Sequence, residues 1–300
     1  MKSSLEGVLP IIPTPYAADG SVDMQALAAL VDFAVDAGAA ALVYPGVASE
    51  DVHLSQEERA AALTRVVEVA AKRLPVLAGV NAADPAEMVE IARTVAGLGV
   101  DGAMAMAIPA MGQDHIAWFT RIAEALDGGF IVLQNLFAPR GADLSAAQML
   151  ELAEAVPAIR YVKEEGVPSG PKVSELVAGG SAHLDGVIGG GGARYLFEEL
   201  ERGAIATMPA IELLELHVAL MAAYKAGDRD RALRLYRDTL PLLLVQAPYR
   251  MRLTKLILQS RGLVATDIVR ETLPEMDAPL KALVLDYYRV AMANLEMADA

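Results

Sequence analysis

Three neighbouring stretches decide the fold: Phe130-Ile131-Val132-Leu133-Gln134, then Ser145–Ala155, then Ile159-Arg160-Tyr161-Val162-Lys163. The first and third are short and apolar, with the β-branched and aromatic residues that favour strands. The second opens on Ser145, a residue that can cap the first free amides of a helix, and continues in Ala, Leu and Glu. Strand, helix, strand over about 35 residues is a βαβ unit. Strands with no polar alternation are buried on both faces, which means a parallel sheet covered by helices.

The same alternation runs outward from this unit. Strand-like runs occur at Val8–Ile12, Ala41–Tyr44, Val76–Gly79, Gly102–Met106 and Leu184–Ile188, with a weaker one at Ala204–Met208. Helical runs follow them. Val22–Ala37 opens after Asp19-Gly20-Ser21, and Ser55–Arg73 opens on a capping box of Ser55 and Glu58. Asp84 precedes Pro85 at a helix start, and Asp114–Leu126 follows the same rule. About eight β–α units predict an α/β protein, a (β/α)8 TIM barrel, rather than an open doubly wound sheet. A dinucleotide fold would want GxGxxG after its first strand, where this chain has Ile11-Ile12-Pro13-Thr14-Pro15-Tyr16. From Gly227 the strands stop, and Asp228–Gln246, Tyr249–Arg261 and Pro279–Met297 read as helices. The expected organisation is a barrel over residues 1–226 with a C-terminal helical extension over 227–300.

Composition removes several function classes. Of 300 residues, 54% are hydrophobic and 21% charged, which excludes disorder for the bulk of the chain. The net charge of −14 repels nucleic-acid phosphates and anionic lipid, so no nucleic acid or membrane partner is expected. An anionic metabolite would need a local binding device against that field. With no cysteine, disulfides, thiolate nucleophiles and Cys-ligated metals are excluded. The four histidines show no ligand spacing, so no metal site is expected. The N-terminal stretch lacks the apolar core of a secretion signal, and a cytoplasmic location is expected.

Active sites of such barrels lie at the C-terminal strand ends. Lys163 closes an apolar strand there, and the other six lysines fall on helices, loops or the terminus, where a solvated ammonium is the default. Desolvation at a barrel mouth disfavours the charged amine, as imine formation with a ketone requires; a structural ion pair is the other reading. Side chains alternate along a strand, so Glu165 shares the face of Lys163 and Glu164 points away. Glu165 is therefore the candidate base, or else a rim salt bridge. Thr14, Gly46, Val47, Ala48, Ser49, Gln134 and Asn135 stand at other strand ends as candidate substrate-binding residues. The amides of Gly46–Ser49 could hold a carboxylate without a basic side chain, or form an ordinary turn. Gly190, within Gly189–Gly192, would allow close backbone approach.

These residues carry a resemblance. Thr14-Pro15-Tyr16, Gly46-Val47-Ala48-Ser49-Glu50, Leu54-Ser55 with Glu57-Glu58-Arg59, Ala78-Gly79-Val80, Leu98–Gly102 and Val162-Lys163-Glu164 occur in order. Together they resemble the dihydrodipicolinate synthase/N-acetylneuraminate lyase family, whose barrels form a Schiff base with a 2-oxo acid. The resemblance implies an imine on Lys163, no other cofactor, a small 2-oxo acid as partner, and a homo-oligomer (dimer or tetramer). Three departures stand out. Gln134 replaces the family's fifth-strand tyrosine, Val47 and Ala48 replace its threonines, and Pro109-Ala110-Met111 replaces its second tyrosine motif. The 2-keto-3-deoxyarabonate dehydratase-like branch also resembles this chain in lacking the tyrosine and carrying Gln and Lys-x-Glu. That branch implies dehydration of a 2-keto-3-deoxy sugar acid. A pyruvate-releasing aldolase of the same family and a non-catalytic 2-oxo acid-binding relative are the alternatives.

Overall fold

The computed structural model of the chain describes residues 5–299. Residues 1–4, which begin the N-terminal stretch and include Lys2, and Ala300 lie outside the described residues. Among the described residues the strands are β1 Gly7–Val8, β2 Leu42–Val43, β3 Val76–Gly79, β4 Gly102–Met106, β5 Phe130–Asn135, β6 Ile159–Glu164, β7 Gly186–Gly189 and β8 Ala206–Thr207. The helices between and after them are α1 Met24–Asp36, α2 Gln56–Ala70, α3 Pro85–Ala96, α4 His115–Ala125, α5 Ala146–Ala155, α6 Ser169–Gly179, α7 Leu196–Glu201, α8 Leu214–Lys225, α9 Arg229–Tyr249, α10 Met251–Ser260 and α11 Ala278–Asp299. The expected βα alternation holds through all eight repeats. No helix among the described residues is long and apolar enough to cross a membrane.

The chain divides into two compact units, Met1–Glu6 with Pro75–Met208, and Gly7–Leu74 with Pro209–Ala300. In the first unit β3 to β8 pair in sequence order, every pair parallel. The register sets Met106 beside Gln134, Gln134 beside Lys163, and Lys163 beside Ile188, one row across four strands. Residues of β4 and β5 are buried on both faces, which is why their sequences show no polar alternation. Ser145 accepts from Gln148 N–H while the Gln148 side chain accepts from Ser145 N–H, the reciprocal cap the sequence suggests. Asp84 accepts from Ala86 N–H ahead of Pro85. Asp114 differs from expectation. Its backbone stands at φ −95°, ψ 30°, and its side chain makes no cap hydrogen bond. The preceding turn Pro109–Met111 sets its approach, so local sequence alone does not place the carboxylate over the helix end.

The second unit holds β1, β2, α1, α2 and α8–α11. Ile11 pairs in parallel with both Val43 and Ala210. Helix α1 starts later than expected, because Asp23 caps it through Gln25 and Ala26 N–H, while Asp19 is occupied by the Ser21 amide and hydroxyl. Tyr249, expected to open a helix, is the last residue of α9, since Arg250 turns the chain at φ 44°. His217 is buried with no hydrogen-bond partner on either ring nitrogen, and burial pushes its pKa down to about 4.

Lys255 overturns the expectation of a solvated ammonium. It is 1% exposed. Its Nζ donates to Glu50 Oε1 at 2.5 Å and to the Ile268 carbonyl at 2.7 Å, and lies 4.1 Å from the Tyr16 ring centroid. Glu50 Oε2 accepts from the amides of Arg270 and Glu271 at 2.6 and 2.8 Å. Arg270 forks onto both oxygens of Glu58, whose pKa falls to about 2 chiefly through those hydrogen bonds. This node ties α10 and the segment after it to the loop that follows β2.

A buried pair that loses one partner leaves an uncompensated charge. Lys255→Met is therefore expected to lower unfolding free energy by about 3–5 kcal/mol in urea titrations. Lys255→Met with Glu50→Gln is expected to cost less than the sum of the two single changes.

Candidate active site

Lys163 and Glu165 come together at the end of β6. Lys163 is 2% exposed, and its Nζ lies 3.2 Å from Glu165 Oε2. The strand's two-residue period brings them to one face, while Glu164 turns the other way. Glu165 Oε2 also accepts from Gln134 Nε2 at 2.5 Å, and Oε1 accepts from Gly191 N–H at 3.2 Å. Burial disfavours the Glu165 charge, but the Lys163 ammonium, the Gln134 amide and the Gly191 N–H outweigh it and hold the carboxyl below the usual carboxylate range.

Gly190 belongs to the same contact. A Cβ there would fall 2.1 Å from Glu165 Cγ, so only glycine lets the β7 loop approach closely enough for Gly191 to donate. Gln134 gains a partner that the sequence reading missed. Asn81, two residues beyond β3, donates from Nδ2 to Gln134 Oε1 at 3.0 Å and accepts from Met106 N–H at 2.7 Å.

Asn135 goes elsewhere. Its Oδ1 accepts from Leu144 N–H, and its Nδ2 donates to the Leu144 carbonyl and to Glu164 Oε2. Its amide therefore pins the loop after β5. Glu164 also accepts from Gly166 N–H, and burial raises its pKa against the pull of Asn135, Gly166 and Lys172. Behind it sits Glu199, another residue that sequence reasoning did not single out. Glu199 is 1% exposed and accepts from Ser169 Oγ at 2.7 Å; burial first, then the Glu165, Glu164 and Glu198 charges, push its pKa up to about 7. A Cβ on Gly189 would lie 2.0 Å from Glu199 Oε2.

The remaining candidates lie in the second unit. Thr14 Oγ1 donates to the Ser49 carbonyl at 2.7 Å and shares a 3.0 Å hydrogen bond with Tyr44 Oη. Burial is the main reason the Tyr44 pKa rises to about 12. Gly46 N–H donates to Ser49 Oγ and Ser49 N–H to the Gly46 carbonyl, so the turn Val47–Ser49 uses two of the loop's amides itself.

Eight consecutive β–α repeats followed by the helices α9–α11 define a class, the (β/α)8 proteins. The dihydrodipicolinate synthase of Rhodopseudomonas palustris superposes with a TM-score of 0.88 at 26% identity, over 96% of this chain and 98% of that one. The wild-type sialic acid aldolase of Ruminococcus gnavus shares the fold at a TM-score of 0.88 and 21% identity, over 98% and 99% of the two chains. The sequence profile described as the Dihydrodipicolinate synthetase family matches residues 4–284, and the chain belongs to that family. The L-2-keto-3-deoxyarabonate dehydratase of Azospirillum brasilense is 28% identical over 93% of this chain and 92% of its own. The family resemblance and the barrel class read from the sequence both hold.

Glu199 makes a pH signature. Its folded pKa lies above the unfolded value, so the folded state binds more protons between about pH 4.5 and pH 7. Its contribution is fully present below the unfolded pKa and is lost as pH rises through the folded one. Glu199→Gln is expected to remove about 1–3 kcal/mol of that loss between pH 5 and pH 8 in denaturant titrations. Equal pH slopes in both proteins would sink this assignment.

Proposed function

We propose that the protein dehydrates a 2-keto-3-deoxy sugar acid through an imine on Lys163. The observation that carries this reading is the buried amine 3.2 Å from a carboxylate that also accepts from Gln134 on the same oxygen and from Gly191 on the other. The Lys163 ammonium passes a proton to Glu165, the neutral amine attacks the C2 ketone, and the carbinolamine hydroxyl leaves as water with that proton to give an iminium. Glu165 takes a proton from C3, and the electrons move into the iminium to give an enamine. The enamine expels the C4 hydroxyl, which leaves as water with the proton that Glu165 carried. Hydrolysis of the imine then frees the amine. The imine is the electron sink, so the reading calls for no cofactor.

The family departures support a dehydratase within this scheme. Gln134 stands where relatives of the synthase type carry a tyrosine, and its amide donates to Glu165 instead of relaying protons. The Azospirillum relative is named for dehydration of a substrate of this class. A homo-oligomer is part of the same reading and is checked by light scattering.

Borohydride with pyruvate is expected to add one reduced adduct to Lys163, located by peptide mass spectrometry. An unmodified Lys163 overturns the imine and favours a 2-oxo acid-binding relative. Glu165→Gln is expected to keep the adduct and lose ~10²–10⁴-fold in kcat on a 2-keto-3-deoxy pentonate or hexonate. Pyruvate released from those substrates, read by coupling to lactate dehydrogenase, would favour the aldolase. Gly190→Ala is expected to displace Glu165 and to lower kcat with it.

A further inference from the structure

The hydrogen bonds around Glu165 form a chain with only one possible direction. It starts at a backbone group. Met106 N–H can only donate, so the Asn81 atom facing it at 2.7 Å is Oδ1. That turns the Asn81 NH2 group toward Gln134 at 3.0 Å, and Gln134 must present its Oε1 there. The Gln134 NH2 group is then left on the side of Glu165, which it meets at 2.5 Å. The strands supply the alignment. Met106, Gln134 and Lys163 lie in one row across β4, β5 and β6, and Asn81 reaches that row from the end of β3.

We infer that Asn81 is a positioning residue for Glu165: it fixes which edge of the Gln134 amide faces the carboxylate, so that a donor and not a carbonyl stands against it. The inference rests on the reading of Glu165 as the base. A primary amide has two edges of nearly equal shape, and nothing in Gln134 itself selects one. With its carbonyl turned to Glu165, two acceptors would face each other beside a buried amine. Asn81 excludes that arrangement through a backbone amide that cannot reverse. The bland alternative is that Asn81 only ends β3 and opens the loop to α3.

The two roles separate in three variants of the full-length protein, with melting curves as the check on folding. Asn81→Asp keeps the acceptor for Met106 N–H and removes the donor to Gln134. Asn81→Ala removes both. Gln134→Ala removes the group through which Asn81 acts. A hydrogen bond to the charged form lowers a carboxyl pKa, so losing it raises the pKa and moves the acid limb of the kcat profile to higher pH. Asn81→Asp is expected to lower kcat by ~tenfold, shift that limb up by about half a pH unit or more, and change KM less than about twofold. The pyruvate adduct on Lys163 is retained. In the Gln134→Ala background, Asn81→Ala is expected to add less than about a twofold further loss.

An acid limb unchanged in Asn81→Asp overturns the inference. So does a tenfold loss that persists in full on top of Gln134→Ala. If wild-type protein traps pyruvate on Lys163 but dehydrates no 2-keto-3-deoxy acid, the proposed function falls by itself. The Asn81 effect is then read from the pH dependence of the trapping rate, because loss of water from the carbinolamine draws its proton from the same carboxyl.

Discussion

A buried ammonium needs a carboxylate, and that requirement organises the first unit around Lys163 and Glu165. An isolated charge at this depth would be strongly disfavoured, and at 3.2 Å the Glu165 carboxylate balances it. Glu165 is in turn a buried anion, and its remaining lone pairs need donors. Gln134 and Gly191 provide them, one from β5 and one from the loop after β7. The glycine at 190 follows from the same need, since any side chain there would occupy the space of Glu165. The identities of three positions, Glu165, Gln134 and Gly190, thus follow from one charge.

Three carboxyl groups share this region and are pushed apart in proton affinity. Glu165 sits below the usual range, whereas burial raises Glu164 and Glu199. Carboxylates this close repel one another, and burial favours the neutral form of the two that lack the Lys163 contact. The environments divide the roles. The ionised group faces the amine, and the others support loops through Asn135 and Ser169.

The second unit repeats the principle at Glu50. Glu50 lies in the left-handed region at φ 58°, between two short 3-10 turns, and its carboxylate collects Lys255 and two backbone amides. Burial pushes the Lys255 pKa down to about 8, and the Glu50 charge opposes that fall. A buried lysine beside a glutamate is therefore not a functional signature by itself. Lys163 differs in lying within a strand, and its partner is held by a side-chain amide as well as a backbone one.

Much of this was legible in the linear sequence. Val76–Gly79 and Gly102–Met106 form the strands expected of them to the residue, because burial on both faces leaves a local apolar signature. Lys163 stood out because an amine ending an apolar run is rarely a solvated one. Contacts that depend on residues far apart in sequence left no such mark. Asn81 meets Gln134 across 53 positions, and Lys255 meets Glu50 across 205. Each of these residues, read alone, is an ordinary polar side chain on a loop or helix. The sequence by itself determined the eight-repeat α/β class, the strand-borne amine and the carboxylate that shares its face, since each follows from a short-range period of two or 3.6 residues. Only the tertiary structure decided which carboxyl stays charged and which amide edge meets it, because those depend on strand register and burial, which no local period encodes.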